Sequence, residues 1–295
     1  MGSLYAWRMK IAVLGAGLMA SAIVRRLRAA GHDVAVWNRT FSKAEALAGV
    51  GAVPQQSIAG AVNGTELVIT MLSDDAAVDA AVAEAFPAAA PGIPFVDCTT
   101  VTPHGVEARA ARVSGKGHPF LHCPVFASPD MVDSGDGVML IGGPQGAYAR
   151  IADVLHAIIV RHEYLGASPG RAAVFKTLGN QINGCLTAAV AEAADCARAF
   201  GVDEKDLAKT YETLGFGPHV LTRLQRIADG SWQPVSFPLT MFRKDLRIFV
   251  ESAQRAGVKT PVLSAALSRA EAAMELGLGD LDASAVADRR VAERL

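Results

Sequence analysis

The chain changes its hydrophobic period partway along. In the first half, short apolar runs alternate with alanine-rich segments of helical spacing. Ile11, Ala12, Val13 and Leu14 form an unbroken apolar run, as expected for a strand buried on both faces of a sheet. A glycine turn follows, then helix-like sequence through Arg28. Residues 34–37, 67–72, 95–97 and 119–122 read as further strands, and residues 76–85 and 106–113 as helices between them. Residues 138–141 read as a later strand, a candidate for antiparallel pairing. This strand–helix alternation predicts a mostly parallel sheet with helices on both faces.

After Gly170 the strand signals stop. Phe175, Leu178, Ile182, Leu186, Ala189, Val190 and Ala193 recur at three- and four-residue steps, an apolar stripe along one long helix. Helical segments follow around residues 203–213, 220–228, 243–255 and 260–276. Neither an internal repeat nor a low-complexity linker interrupts them. The predicted organisation is an α/β, Rossmann-type domain over residues 1–168. An all-helical domain over residues 169–295 follows, joined by the long helix. Residues 1–8 read as an extension ahead of the first strand, with Met9 an alternative start.

Composition adds exclusions. The 295 residues are 51% hydrophobic and 19% charged, enough for two cores and far from disorder. A formal net charge of -1 offers no bulk attraction to nucleic acid or to an anionic membrane. Cys98, Cys123, Cys185 and Cys196 form no CxxC pair and no zinc-spaced cluster, so they are expected to be reduced, mostly buried thiols with no metal. No apolar run is long enough for a membrane helix, and Arg8 and Lys10 break up any signal-peptide core. A cytoplasmic protein acting on a small molecule is expected.

Gly15-Ala16-Gly17-Leu18-Met19-Ala20 is a GxGxxA loop that follows the first strand and opens a helix. The first glycine permits the tight turn. The second lets a pyrophosphate approach the backbone. The third, small position lets helix and strand pack closely. The free N–H groups of the helix start then face the anion. An enzyme using NAD usually carries an acid at the end of the second strand, bonding the ribose 2′-hydroxyl. This chain reads Trp37-Asn38-Arg39-Thr40 there. Without a carboxylate, and with Arg39 able to pair with a 2′-phosphate, NADP is the expected cofactor. Thr40 and Lys43 are additional candidate contacts.

Several separated motifs, in order, resemble the β-hydroxyacid dehydrogenases, which include 3-hydroxyisobutyrate dehydrogenase, tartronate semialdehyde reductase and glyoxylate/succinic semialdehyde reductase. They are the glycine loop, Gly31-His32-Asp33-Val34, Trp37-Asn38-Arg39-Thr40, Met71-Leu72-Ser73-Asp74, Asp97-Cys98-Thr99-Thr100, Pro124-Val125, Lys176 with Asn180, Phe237, and Lys244-Asp245-Leu246. The resemblance implies a catalytic lysine at Lys176 with Asn180 as its partner. It sets Leu72, Thr100 and Lys244 on the cofactor. It puts Pro124, Val125, Phe126, Ala127, Phe237 and Asp245 around the substrate. It also implies at least a homodimer with interlocked helical domains. The residues agree: Lys176 and Asn180 lie one helical turn apart, on a face that also carries Asn183 and Thr187. A carbonyl that accepts hydride becomes an alkoxide, and an ammonium can donate the proton it needs.

The resemblance fails at one loop. The family usually has Asp-Ala-Pro-Val-Ser-Gly-Gly, which grips a substrate carboxylate. This chain has His122-Cys123-Pro124-Val125-Phe126-Ala127-Ser128. Phe126 removes a hydroxyl and adds bulk, so a more apolar substrate than a small 3-hydroxy acid is expected, with Ser128 a candidate replacement donor. His122 is read as an acid, a phosphate contact or a structural residue. Imine reductases share the architecture and the Asn-Arg-Thr signature but usually carry Asp or Tyr in place of Lys176, and they stand as the alternative. A noncatalytic NADPH-binding protein is the second, although such a protein would be expected to have lost Lys176.

Overall fold

The computed structural model describes residues 8–295, so only Arg8 of the expected N-terminal extension falls within the described residues. The chain divides into two compact units, Met1–Lys176 and Thr177–Leu295.

In the first unit, β1 (Lys10–Leu14), β2 (Asp33–Trp37), β3 (Val53–Gln55), β4 (Leu67–Thr70), β5 (Phe95–Asp97) and β6 (Phe120–His122) form one six-stranded sheet of order β3-β2-β1-β4-β5-β6. Every pairing in it is parallel. The unbroken apolar run of β1 has the expected cause. Ile11 and Val13 enter a core with Ile23 of α1 (Leu18–Ala29) on one face, while Ala12 and Leu14 enter a second core on the other. After α2 (Phe41–Glu45), the second face is covered by α3 (Ile58–Val62), α4 (Asp75–Ala85) and α5 (Pro103–Gly115), through Ile58, Val78 and Val106. Burying each such side chain stabilises the unit by about 1.5–3 kcal/mol.

A second sheet follows, of β7 (Val125–Phe126), β8 (Val138–Ile141) and β9 (His162–Tyr164). Pairing between β7 and β8 is antiparallel and between β8 and β9 parallel, which resolves the open orientation of residues 138–141. Helices α6 (Pro129–Ser134) and α7 (Gln145–Ile158) lie between these strands in sequence. The strands β3, β7 and β9 have only two or three residues each, too short to produce a readable period.

Helix α8 (Pro169–Ala199) crosses the division, and α9 (Glu204–Thr213), α10 (Pro218–Ala228), α11 (Leu239–Arg255), α12 (Pro261–Glu275) and α13 (Arg289–Ala292) complete the second unit. Its core joins Val190 and Ala194 of α8 to Leu224, Phe242, Phe249, Leu263 and Ala270. Val190 of the apolar stripe of α8 enters this core, but its large side chains nearer the start of the helix are exposed in the single chain: Phe175 is 44% exposed and Ile182 61%, with Leu178 and Leu186 also exposed. The buried face is instead made of small residues. A Cβ at Gly184 would lie 2.5 Å from the Leu246 side chain, so α8 and α11 approach too closely for a large residue between them. Among the described residues no helix is long and apolar enough to cross a membrane.

Candidate active site

The glycine loop at the end of β1 is shaped by backbone contacts. Gly15 adopts φ 127°, and a Cβ there would sit 2.2 Å from the Met71 carbonyl oxygen, so only glycine fits. Its N–H donates to the Trp37 carbonyl at 2.8 Å. Asn38 ties the next strand to the loop: its Oδ1 accepts from Ala16 N–H at 3.1 Å, and its Nδ2 donates to the Thr40 carbonyl at 3.0 Å. At Gly17 a Cβ would meet nothing within 4 Å, and no side chain caps α1, whose first turn carries no acid. This open, uncapped helix start fits a dinucleotide pyrophosphate. Leu18 is exposed, Met19 packs on the core, Arg39 and Thr40 are exposed just after β2, and Lys43 is exposed on α2. Leu72 follows β4, where its N–H donates to Thr99 Oγ1 at 3.0 Å, and Thr100 is the next residue, half-buried.

Beneath these loops lies a buried polar network that the sequence reading missed. Asp97, fully buried at the end of β5, accepts from Thr70 Oγ1 (2.9 Å), Thr99 N–H (3.0 Å) and Arg109 Nη1 (3.1 Å). Arg109, itself fully buried on α5, also pairs with Asp75 at 3.0 Å and Asp79 at 2.7 Å. Burial pushes the Asp97 carboxyl up, but His122, Arg109 and the Thr99 N–H outweigh it and hold the group below the usual carboxylate range. His122 is buried with Nδ1 3.7 Å from Asp97 Oδ2, too long for a hydrogen bond, and neither ring nitrogen has a hydrogen-bond partner. It therefore belongs to the interior network of the strand ends. One signal could have revealed the network: Arg109 interrupts the apolar face of Val106, Ala110 and Val113 on α5.

The departing loop runs from β6 into β7. Pro124 and Val125 are buried, and Phe126 and Ala127 are half-buried. Lys176, only 9% exposed on α8, donates from Nζ to the Val125 carbonyl at 2.6 Å. The same Nζ lies 4.2 Å from the centroid of the Phe126 ring. Ser128, the candidate replacement donor, stands at the start of α6. Its Oγ accepts from Met131 N–H at 3.4 Å and caps α6.

In the second unit, Asn180, Lys244 and Asp245 come together. Asn180 Nδ2 donates to Asp245 Oδ2 at 3.2 Å, and Lys244 Nζ lies 2.7 Å from Asp245 Oδ1. Phe237 packs edge-on against Phe242, with its N–H on buried Asp282. Burial pushes the Asp282 carboxyl up, but bonds from Ser284 and Ser236 and the charge of Arg223 bring it to about 2. All four cysteines are free, with Cys98 and Cys123 buried, Cys185 half-buried and Cys196 exposed, so burial of the thiols is only half as extensive as expected. No group of His, Cys, Asp and Glu among the described residues could hold a metal ion.

A parallel sheet of this strand order, with a bare glycine turn where the order reverses, is the scaffold on which oxidoreductases bind nicotinamide dinucleotides. Comparison with known proteins narrows that class. Residues 10–166 match the family described as the NAD binding domain of 6-phosphogluconate dehydrogenase. Residues 170–289 match the NAD-binding region of NADP-dependent 3-hydroxyisobutyrate dehydrogenase. The chloroplastic glyoxylate/succinic semialdehyde reductase 2 of Arabidopsis thaliana is 30% identical over 94% of this chain and 78% of its own length. Among solved structures, 3-hydroxyisobutyrate dehydrogenase of Mycobacterium tuberculosis superimposes with a TM-score of 0.85 at 25% identity, covering 95% of this chain and 98% of that one. An imine reductase of Streptomyces aurantiacus reaches 0.66 at 27% identity, covering 94% and 97%. The chain belongs to the β-hydroxyacid dehydrogenase family and is an oxidoreductase that binds NAD(P).

Proposed function

We propose that the enzyme uses NADP(H) to interconvert a carbonyl and a hydroxyl group, with Lys176 as the acid–base residue. One observation carries the assignment: a buried lysine on α8 whose Nζ is held at the loop that departs from the family pattern, on the Val125 carbonyl. When bound, the reduced nicotinamide supplies a hydride to the carbonyl carbon. The C=O π pair moves onto oxygen, and Lys176 passes one N–H proton to that oxygen. The amine then regains a proton from solvent. In the oxidative direction the neutral amine accepts the hydroxyl proton. Asn180, one turn along α8, orients the substrate oxygen. Thr100 and Lys244 flank the nicotinamide half of the cofactor. Phe237 and Asp245 line the substrate side.

The preference for NADP rests on charge. No acid stands at the end of β2 to repel a 2′-phosphate, and Arg39 stands there exposed. Free cysteines suit a reducing compartment, and we place the enzyme in the cytoplasm, acting on a small molecule without nucleic-acid or membrane partners. A homodimer follows from the outward stripe of α8. Four large apolar side chains at one helical spacing (Phe175, Leu178, Ile182 and Leu186) favour burial against a second copy. Sedimentation equilibrium showing a monomer at micromolar concentration would overturn the dimer.

The substrate is more apolar than a small 3-hydroxy acid. Phe126 supplies no hydroxyl donor and adds an apolar ring where the resemblance leads one to expect a serine. The test is NADPH consumption across carbonyls matched with and without a carboxylate, together with cyclic imines. Preference for uncharged carbonyls is expected. Efficient turnover of succinic semialdehyde would overturn the apolar pocket. Turnover of imines alone would replace carbonyl chemistry with imine reduction, a reading that the likeness to an imine reductase keeps in view.

A further inference from the structure

We infer that Phe126 is a positioning residue for Lys176: its ring face and the Val125 carbonyl together hold the ammonium in place. This rests on the acid–base reading of Lys176. The Nζ lies 4.2 Å from the ring centroid, within the range where the negative face of an aromatic ring attracts a cation. The second restraint comes from the neighbouring residue, through the 2.6 Å bond to the Val125 carbonyl.

Both sides of this clamp stand on anchored backbone. Phe126 is registered against Val138 in the β7–β8 ladder. Gly137, at φ 102°, lets the chain pass so closely that a Cβ there would lie 2.8 Å from the Phe126 carbonyl oxygen. The start of α8 is tied to α5 through Glu107, whose Oε1 accepts from Gly170 N–H at 3.0 Å and from the Ser168 hydroxyl. A Cβ at Gly170 would fall 2.5 Å from that same oxygen. The two segments are therefore anchored at their backbones, and the ring and the carbonyl locate the end of the flexible lysine side chain.

The chemistry of the clamp suits a proton donor. A ring face and a peptide carbonyl attract an ammonium, yet neither is a base that takes its proton. A serine hydroxyl, which the resemblance leads one to expect at position 126, would offer a hydrogen bond without the broad electrostatic face. The substitution that removes a carboxylate contact thus gives the lysine a lateral support.

Fluorination of the ring separates this role from packing, because fluorine withdraws electron density from the ring face with little change of shape. The experiment places 4-fluoro-, 3,5-difluoro- and 3,4,5-trifluorophenylalanine at position 126 of the full chain. It measures kcat, KM and thermal midpoint with the carbonyl turned over best in the panel above, beside Lys176→Ala. It also measures the rate at which sulfosuccinimidyl acetate acylates Lys176, read by peptide mass spectrometry without substrate or cofactor. The expected result is a stepwise fall in kcat, reaching roughly fivefold for the trifluoro ring, with the midpoint unchanged. Acylation of Lys176 should quicken in the same order as the amine is released. Flat kcat and acylation series, with Lys176→Ala inactive, overturn the clamp and leave the acid–base reading standing. Normal turnover by Lys176→Ala overturns both.

Discussion

At the carboxyl ends of β1 and β6, one sheet carries two loops built on different terms. The glycine loop after β1 is defined by its backbone. Gly15 leaves no room for a side chain, its N–H bonds to β2, and Asn38 holds Ala16 from the neighbouring strand. Side chains there keep space open. The loop after β6 is defined by its side chains, and three of its departures from the family pattern make contacts of their own. Phe126 lies against Lys176, Ser128 caps α6, and His122 sinks beside Asp97. A cofactor common to many enzymes is met by peptide N–H groups, and steric necessity fixes the residues. If the loop after β6 meets the substrate, as proposed, the part of the site that must differ between enzymes is built from side chains, which can be exchanged while the strand beneath stays put.

The largest expected effect separates the two loops functionally. Lys176→Ala should lower kcat by about 10²–10⁴-fold, the usual worth of a general acid–base group. NADPH affinity, measured by fluorescence titration, should hardly change, because the role proposed for Lys176 is toward the substrate oxygen and not toward the cofactor. An equal loss of cofactor binding would break the separation.

The next effect joins the loops. Asp97 lies under both, bonded to Thr99 on the cofactor side and facing His122 on the other. Asp97→Asn leaves the buried Arg109 short of one charge partner and should cost about 3 kcal/mol in urea unfolding. The wild-type carboxyl is depressed in the folded state. Its contribution is therefore complete above the ordinary carboxylate range and is lost as pH falls through the lower folded value. Stability of the wild type should drop on acidification into that window, and the variant should lose part of that slope. An unchanged slope would mean that Asp97 titrates alike in both states.

The sequence disclosed the backbone-defined loop and the sheet under it, because a glycine turn after an unbroken apolar strand has few other uses. It disclosed the period of α8 but not its direction. The period marks an apolar stripe without saying what it faces, and a single chain leaves the part from Phe175 to Leu186 exposed because Gly184 takes the packed side. The network of Asp75, Asp79, Asp97, Arg109 and His122 left a single trace in the sequence, Arg109 within the apolar face of α5. Its members come from four segments, α4, β5, α5 and β6, which only the parallel sheet and its covering helices bring together. Position 126 was legible as a departure from the pattern, while its contact with Lys176 needed coordinates.

The smallest effect tests whether the cofactor side depends on any side chain at all. Arg39 is exposed at the end of β2, where an ion pair is screened by water and worth at most about 1 kcal/mol. Arg39→Ala should therefore raise the Kd for NADPH by about fivefold and leave NADH nearly untouched. The ratio of the two affinities is the useful quantity, since both cofactors share the pyrophosphate and the glycine loop. A similar loss for both would remove Arg39 from the 2′-phosphate and assign it to adenine stacking. A much larger loss for NADPH alone would mean that the bound phosphate draws Arg39 out of solvent. The cofactor side would then resemble the substrate side more closely, with a side chain in place of backbone deciding what is recognised.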